Sequence, residues 1–270
     1  MKKLLTLVFF LLLLGFSRST YADIVRQNSV TTTTAAATSN VVNLGFTASA
    51  GDTLYINFGF RSLTATSSVT VPGGATVATV FGNASASAGQ SSQGLYYALN
   101  IPANVTSVTI GSSASVEKAI SIIDYSGVAN VGQPDQSGCQ QNAAGTTSKG
   151  KLLITTNAND VILNSITNSA NAGTQIASAG PVNQIGSTAT WSSVSNISNN
   201  GGTNGSIGIA VAEDIENITL HAGAQWTTNS AASTGCGLAL EAAVAASTAP
   251  PPIRYSFNGY IQFNGNFIFQ

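Results

Sequence analysis

Two short motifs in this chain match patterns that carry chemistry in other proteins. Residues 115–118 spell Ser-Val-Glu-Lys, which fits the S-x-x-K pattern that pairs a nucleophilic serine with a lysine. Residues 145–151 spell G-x-x-x-x-G-K, a pattern that binds phosphate. However, Leu152 stands where a phosphate loop needs Ser or Thr, and the companion motifs of S-x-x-K are missing from the sequence. We therefore interpret both matches as coincidental.

A single histidine limits the nucleophilic and metal chemistry that the chain can support. His221 falls in a predicted strand at residues 218–226, on the more polar of its two faces. We expect a solvated or hydrogen-bonded imidazole there, because no partner for a general base is evident. Neither a Ser/His/Asp triad nor a zinc site can be assembled around one histidine. The sequence predicts that the protein is not an enzyme and needs no cofactor.

The densest acidic group comprises Glu213, Asp214 and Glu216, at the end of a predicted strand. Calcium takes several oxygen ligands from one loop, and these side chains with Asn217 could supply them. A solvated acidic turn explains the same residues without any ligand, and we favour that interpretation. The sequence therefore predicts no metal site, with calcium left open at this turn.

Four aromatic residues could form a stacking surface for sugars, as in a lectin: Trp191, Trp226, Tyr96 and Tyr97. Filling the core is the usual role of aromatic side chains in a β-sandwich. We expect these residues to be buried.

The elements that would position these residues are strands. Alternating apolar patterns recur about every ten residues with almost no helical periodicity, which is typical of an antiparallel sandwich. The strands are predicted at residues 41–48, 53–61, 69–71, 77–81, 94–101, 107–110, 119–125, 152–155, 161–167, 182–191, 208–212, 218–226 and 237–244. Residues 237–246 also contain good helix formers, but their alternation favours a strand. We predict an all-β domain at residues 23–248, an antiparallel two-sheet sandwich of jelly-roll or Ig-like type, whose leader at 23–40 is extended or an edge strand.

The polar segment at residues 128–150 is interpreted as a crossover between the two sheets. It contains Cys139, and Cys236 falls beside the last predicted strand. An exported chain is expected to pair two such cysteines, which would tie the crossover to that strand. Two free thiols are the alternative.

The amino-terminal residues predict export. Residues 1–22 combine Lys2 and Lys3, an apolar core too short to span a bilayer comfortably, and a small residue at the cleavage point, as in a signal peptide. The mature protein is expected to be secreted and extracellular or at a cell surface, with no membrane segment after cleavage. Only 7% of residues are charged and no basic patch exists, so nucleic acid is excluded as a partner. Five N-x-S/T sequons mark candidate glycosylation sites in exposed turns: Asn83, Asn104, Asn196, Asn204 and Asn217.

The segment at residues 253–270, here called the tail, follows a stiff proline spacer at 249–252. Its alternate residues have the period of an extended β-strand with one apolar face. The large side chains of that face are Tyr255, Phe257, Ile261, Phe263, Phe267 and Phe269. Such a face must be covered, either by its own domain or by a neighbouring subunit.

Several short sequences resemble a module that is common in secreted bacterial proteins. They are LYYALNIP at 95–102, VTSVTI at 105–110, DYSGV at 124–128, and Thr155-Thr156 with Asn159-Asp160-Val161. The resemblance spans roughly residues 40–246 and implies a single two-sheet sandwich of a type associated with cell surfaces and extracellular matrix. The tail lies outside the module and is similar to the donor strands by which subunits of some extracellular fibres complete one another's sheets.

The expected function is therefore structural: a filament subunit that polymerises head to tail with identical subunits by donating its tail strand. The leader at 23–40 is the second candidate for the exchanged segment, because it lacks large apolar side chains. The alternative is a monomeric carbohydrate-binding or adhesive module, with glycans as partners and the tail folded on its own domain.

Overall fold

Strands account for most of the described chain, which confirms the predicted all-β class. The computed structural model describes residues 21–62, 64–85, 91–170, 181–199, 206–216, 221–228 and 232–245. Residues Tyr21–Val244 form one compact unit. Within the described residues the helical structure is a short 3-10 turn at Pro72–Gly74, and no helix there is long and apolar enough to cross a membrane.

The described residues contain sixteen strands. In chain order they are β1 (Val25–Ala48), β2 (Thr53–Arg61), β3 (Ser67–Thr70), β4 (Thr76–Ser85), β5 (Ser91–Leu99), β6 (Val105–Ser126), β7 (Gln136–Asn142), β8 (Thr147–Lys149), β9 (Leu153–Ile154), β10 (Asp160–Ala170), β11 (Val182–Asn183), β12 (Ser192–Asn199), β13 (Ser206–Glu216), β14 (His221–Ala222), β15 (Ala224–Thr227) and β16 (Ser233–Glu241).

Two large antiparallel sheets hold most of these strands. Sheet A has the order β1-β6-β2-β5-β4, and β3 pairs with β6 outside this path. Sheet B has the order β12-β13-β10-β16-β7. The remaining strands form two small sheets, β11-β15-β8 and β14-β9. The predicted antiparallel two-sheet sandwich is confirmed.

Sheets A and B face each other across a shared apolar core. Tyr55 and Ile123 enter this core from sheet A, and Leu163, Ile209 and Leu238 enter it from sheet B. All five are fully buried. Removing such side chains from water supplies the main stabilisation of a sandwich, at roughly 1.5 to 3 kcal/mol for each large residue.

Sheet A has a second core on its other face. Leu54, Ile56, Phe58 and Phe60 of β2 belong to this core and are fully buried. Because neighbouring residues of a strand point to opposite faces, Tyr55 lies on the face that meets sheet B. Strand β2 is thus buried on both faces, whereas the alternation of its sequence alone predicts one buried face.

The long strands β1 and β6 help to enclose the second core. Val42 of β1 belongs to it, as do Val108 and Ile120 from the two halves of β6. The register of the β1/β6 pair shifts between Thr34 and Ala37 and again beyond Ala37. Such bulges bend a pair of strands and increase its twist. The predicted leader at 23–40 contributes the first part of β1, and β1 is an edge strand of sheet A.

Short strands cover the outer face of sheet B and form a third layer. Leu153 of β9 packs with Ile162 of β10, and Trp226 of β15 packs with Ala210 of β13. The segment after β8 passes so close to β16 that a Cβ atom on Gly235 would lie 1.8 Å from the carbonyl oxygen of Lys149. Glycine is therefore required at this crossing.

The strand bounds correct three local predictions. Residues 107–110 and 119–125 belong to one strand, β6, because Gly111, Val116 and Lys118 between them continue the pairing with β1. The strand predicted at 182–191 is reduced to β11, and β12 follows it. Residues 128–150 cross from sheet A to sheet B as predicted, but they also contain β7 and β8. Short polar strands of this kind lack the apolar alternation on which the predictions rest.

Candidate functional site

The S-x-x-K motif does not form a nucleophile pair. It lies inside β6, where Ser115 is exposed and Lys118 is fully buried. Residues three apart on a strand lie on opposite faces. The Nζ atom of Lys118 instead donates hydrogen bonds to the carbonyl oxygen of Ala37 at 2.8 Å, to Oδ1 of Asn40 at 2.7 Å and to the carbonyl oxygen of Val116 at 3.2 Å. Burial lowers the pKa of Lys118 to about 8.

The other two candidates for chemistry behave as the sequence indicates. The G-x-x-x-x-G-K segment runs through β8 into β9, so no helix amino terminus follows it to hold a phosphate. His221 begins β14 opposite Ile154, and its side chain is exposed. This agrees with the expected solvated imidazole.

The acidic group at the end of β13 is not a solvated turn, which corrects the interpretation favoured from the sequence. Glu213 and Asp214 are both buried. Glu213 forms an ion pair with Arg26 at 2.7 Å and accepts a hydrogen bond from the Tyr125 hydroxyl. Asp214 lies on the opposite face, where its Oδ2 accepts a hydrogen bond from the backbone amide of Thr190 at 2.9 Å. Neighbours on opposite faces of a strand cannot share one calcium ion.

The side chain of Glu216 and all of Asn217 lie outside the described residues. Among the side chains that are described, no three His, Cys, Asp or Glu residues are grouped so as to hold a metal ion.

The aromatic residues considered as a sugar platform are core residues. Tyr96 is 2% exposed and packs in the second core of sheet A, where its ring stacks on Phe58. Tyr97 is buried between the sheets, and Trp226 is buried under the third layer. Trp191 is half-buried against the same outer layer. Core filling is therefore confirmed for Tyr96, Tyr97 and Trp226.

The predicted disulfide joins β7 to β16. Cys139 and Cys236 are bonded and occupy directly opposed positions, with their Cα atoms 4.0 Å apart. Cys236 is fully buried in the core between the sheets. The bond therefore fastens the edge strand of sheet B to its inner neighbour, and free thiols are excluded.

Two of the five sequons have described side chains. Asn104 is exposed in the turn before β6, where its backbone φ is 69°. Asn196 is exposed on β12. The side chains of the other three, Asn83, Asn204 and Asn217, lie outside the described residues, although Asn83 belongs to β4.

The tail and its six predicted anchor residues lie outside the described residues. The edge strands of the two large sheets are the positions that could receive it. Among the strands of the described residues, the edges are β1 and β4 in sheet A and β12 and β7 in sheet B. The edges are stacked in pairs, because β1 contacts β12 and β4 contacts β7. An edge strand presents a row of backbone groups that can pair with an added strand.

The side of the sandwich where β4 meets β7 is here called the β4 seam, and it carries apolar side chains that are only half buried. Ala78, Val80 and Phe81 of β4 pack on the core between the sheets without being covered completely. Leu99 of β5 and Cys139 of β7 pack on the same core and are also half-buried. The pairing of β4 with β5 is regular from Thr76 to Thr79 and irregular beyond.

A cleft of about 620 Å³ opens at the start of β4. It is lined by the turn at Gly73 and Gly74, by Ala78 and Leu99, and by Asn100 and Asn130. The β4 seam and this cleft share Ala78 and Leu99, so they form a continuous surface.

Two pairs of carboxyl groups, in which three of the four side chains are buried and Asp135 is half-buried, are not evident from the sequence. Asp52 and Asp124 share a hydrogen bond, and Asn28 donates to Oδ2 of Asp124 at 3.4 Å. Burial, followed by repulsion from Asp52, raises the pKa of Asp124 to about 6. Burial also raises the pKa of Asp52.

The second pair is Asp135 and Asp160, at the end of sheet B. Burial, followed by the neighbouring Asp135 and Glu241, raises the pKa of Asp160 to about 8. Burial alone would raise the pKa of Asp135 as well, but hydrogen bonds from Thr156, Asp160 and Asn157 outweigh it and keep that pKa below its ordinary value.

No protein-family model, curated protein or solved structure matches this chain.

Proposed function

We propose that the protein is an exported structural subunit of an extracellular filament, in which the tail of one copy adds a strand to β4 of the next. One observation carries this proposal. Within the described residues β4 pairs with β5 on one side only, and the apolar side chains beside its free edge are half exposed. Backbone pairing along an open edge gives affinity, and side chains on alternate positions give specificity.

The pattern of the tail is complementary to this edge. Its apolar face carries Phe257, Ile261 and Phe263 among its large side chains, and its other face carries mostly Asn, Gln and Ser. A strand that pairs with β4 would place the apolar face on the half-buried Ala78 and Val80 and leave the polar face in water. Covering the six large side chains would contribute roughly 9 to 18 kcal/mol before the costs of ordering are subtracted.

The length of the tail fits the combined surface of β4 and the cleft. At about 3.3 Å per residue an extended tail reaches about 60 Å, which exceeds the length of a typical strand. The tail can therefore continue past β4 into the cleft beside Gly73 and Gly74. Gly259 and Gly265 are suited to a bend of the tail between β4 and the cleft, since glycine allows close approach of another backbone.

The joint is proposed between copies rather than within one. Among the described residues, side chains from residues 24–242 form the buried clusters on both faces of sheet A. Three consecutive prolines favour an extended spacer, which would keep the tail away from the domain that precedes it. A head-to-tail contact of this kind does not close on itself, and repetition produces a filament.

The monomeric carbohydrate-binding alternative is not favoured by any observation on the described residues. Its aromatic platform would need Tyr96, Tyr97 and Trp226 at the surface, and all three are buried.

The proposal is tested by the mass of the mature protein in solution, measured by light scattering. The intact chain is expected to form long oligomers, and deletion of residues 253–270 is expected to give a monomer. The paired substitutions Phe257→Ser and Phe263→Ser should act like the deletion. The matched control on the polar face, Asn258→Ser with Asn264→Ser, should still polymerise. An intact protein that is monomeric, or a deletion that leaves the oligomer unchanged, contradicts the proposal.

A further inference from the structure

Asp160 is a buried acid without a hydrogen-bond donor. Its side chain is 2% exposed, and within the described part of the chain neither carboxyl oxygen accepts a hydrogen bond. It is the first residue of β10 and stands between Glu241 of β16 and Glu216 of β13 in the strand register. Burying an ionised carboxyl group without hydrogen-bond donors is costly. Such a group is stabilised by a bound cation or by protonation.

The group that faces Asp160 is a second carboxylate. Asp135 lies within hydrogen-bonding reach of it, and Glu241 adds a further negative charge nearby. Asp135 is held in place by the segment after β9: its Oδ2 accepts hydrogen bonds from the backbone amides of Thr156 at 2.8 Å and Asn157 at 3.4 Å. Its Oδ1 accepts from the Thr156 hydroxyl and from Nδ2 of Asn157 at 3.2 Å. These bonds favour the ionised form of Asp135 and fix its orientation toward Asp160.

This arrangement joins two separate parts of the chain. Asp135 precedes β7 at the edge of sheet B, whereas Thr156 to Asp160 lead into its central strand β10. An ion between the two carboxylates would therefore link the crossover segment to the sheet.

We propose that Asp135 and Asp160 bind a calcium ion, with Glu241 contributing negative charge to the site. Carboxylate oxygens are hard ligands, and calcium tolerates the irregular geometry of two carboxylates completed by neutral oxygens and water. Magnesium requires a near-ideal octahedron and loses its water reluctantly, so it should bind less well. Two carboxylates without a third correspond to the weak class of extracellular sites, with dissociation constants of about 0.1 to 1 mM. The site is separate from Glu213 and Asp214 and does not depend on the filament proposal.

The test is the unfolding temperature of the mature protein after treatment with EDTA, titrated with calcium chloride. We expect 10 mM calcium to raise it by roughly 3 to 10 °C, and because the stabilisation grows with the logarithm of the calcium concentration, half of that rise should be reached at about 1 to 2 mM. Magnesium chloride at the same concentration should raise it less. Absence of a calcium-specific shift overturns the proposal and leaves a proton shared between Asp135 and Asp160 as the explanation.

Substitutions locate the ion. Asp160→Asn should abolish the calcium shift, while Asp124→Asn, a matched change in the other carboxyl pair, should preserve it. A shift that persists in Asp160→Asn overturns the assignment. If Asp160→Asn does not fold, Asp135→Asn serves as the second variant, and terbium luminescence of the unmodified protein supplies an independent measurement. Terbium emission that calcium displaces supports the site, and emission that calcium leaves unchanged contradicts it.

Discussion

Lys118 donates a hydrogen bond from Nζ to Oδ1 of Asn40 over 2.7 Å, and this contact joins β6 to β1 beside the shift in their register. The other two acceptors are the backbone carbonyls of Ala37 and Val116. All three donors of the ammonium group are thus used in a fully buried position. The lysine that the sequence placed in a catalytic pattern instead fixes the bend that encloses the second core of sheet A.

Replacing Lys118 by methionine should destabilise the protein. Lys118→Met keeps the length of the side chain but leaves one buried and two half-buried acceptors without their donor, at a cost of about 2 to 4 kcal/mol. Lys149→Met is the control, since Lys149 is exposed on β8 and its replacement should change stability by less than about 0.5 kcal/mol. Denaturant unfolding of both variants checks the prediction, and equal stabilities would contradict it.

The disulfide should make a large contribution to the free energy of unfolding. Cys139 and Cys236 are 97 residues apart in sequence, for which the loop-entropy model predicts about 4 to 5 kcal/mol. We expect a double Cys→Ser variant and the reduced protein to lose a similar amount, since both release β7 from β16. Thermal unfolding with and without reductant measures this, and an unchanged transition would refute the structural role of the bond.

The Asp52 and Asp124 pair should make stability fall between about pH 4 and pH 6. The pKa of Asp124 is raised from 3.8 to about 6 in the folded protein, so the folded state binds more protons than the unfolded state in that interval. Stability therefore decreases as pH rises from the unfolded to the folded pKa.

Asp124→Asn should remove this contribution, and it should be more stable relative to the parent at pH 7 than at pH 3. Unfolding free energies of the two proteins across this range provide the measurement. A difference between them that does not vary with pH would contradict the prediction.

The alternation of apolar residues predicted the strands. The burial of their polar side chains depends on residues that are distant in sequence, and it could not be predicted. The alternation of Leu54, Ile56, Phe58 and Phe60 marks β2 because a strand buries alternate residues. It does not predict that Asn57, on the opposite face, is buried too. That burial depends on a polar network in which Gln93 donates to Asn57 Oδ1 at 2.9 Å and to Ser165 Oγ at 2.6 Å.

Dependence on residues distant in sequence also explains why the environments of the acidic residues were not predicted. Glu213 was interpreted as solvated because its neighbours in sequence are polar, yet it is paired with Arg26 from β1 and with Tyr125 of β6, 88 residues away in the chain. Asp135 and Asp160 likewise approach only because β7 and β10 belong to the same sheet. By contrast, the disulfide could be predicted, because an exported chain with two cysteines has one pairing available.

Mixing two defective proteins tests the tail joint most directly. Thr79 is exposed on β4, and a lysine at an edge position blocks the addition of a strand. Thr79→Lys should therefore keep a donor tail but lose the acceptor edge, whereas the protein lacking residues 253–270 keeps only the edge. Ser193→Lys, an exposed change on the edge strand β12, should polymerise normally and serves as the control.

Each of the two defective proteins alone should be monomeric by light scattering. An equimolar mixture should form a one-to-one heterodimer and nothing longer, since one donor tail then meets one free β4 edge. A mixture that stays monomeric would contradict strand addition at β4. So would a Thr79→Lys protein that polymerises as the Ser193→Lys control does.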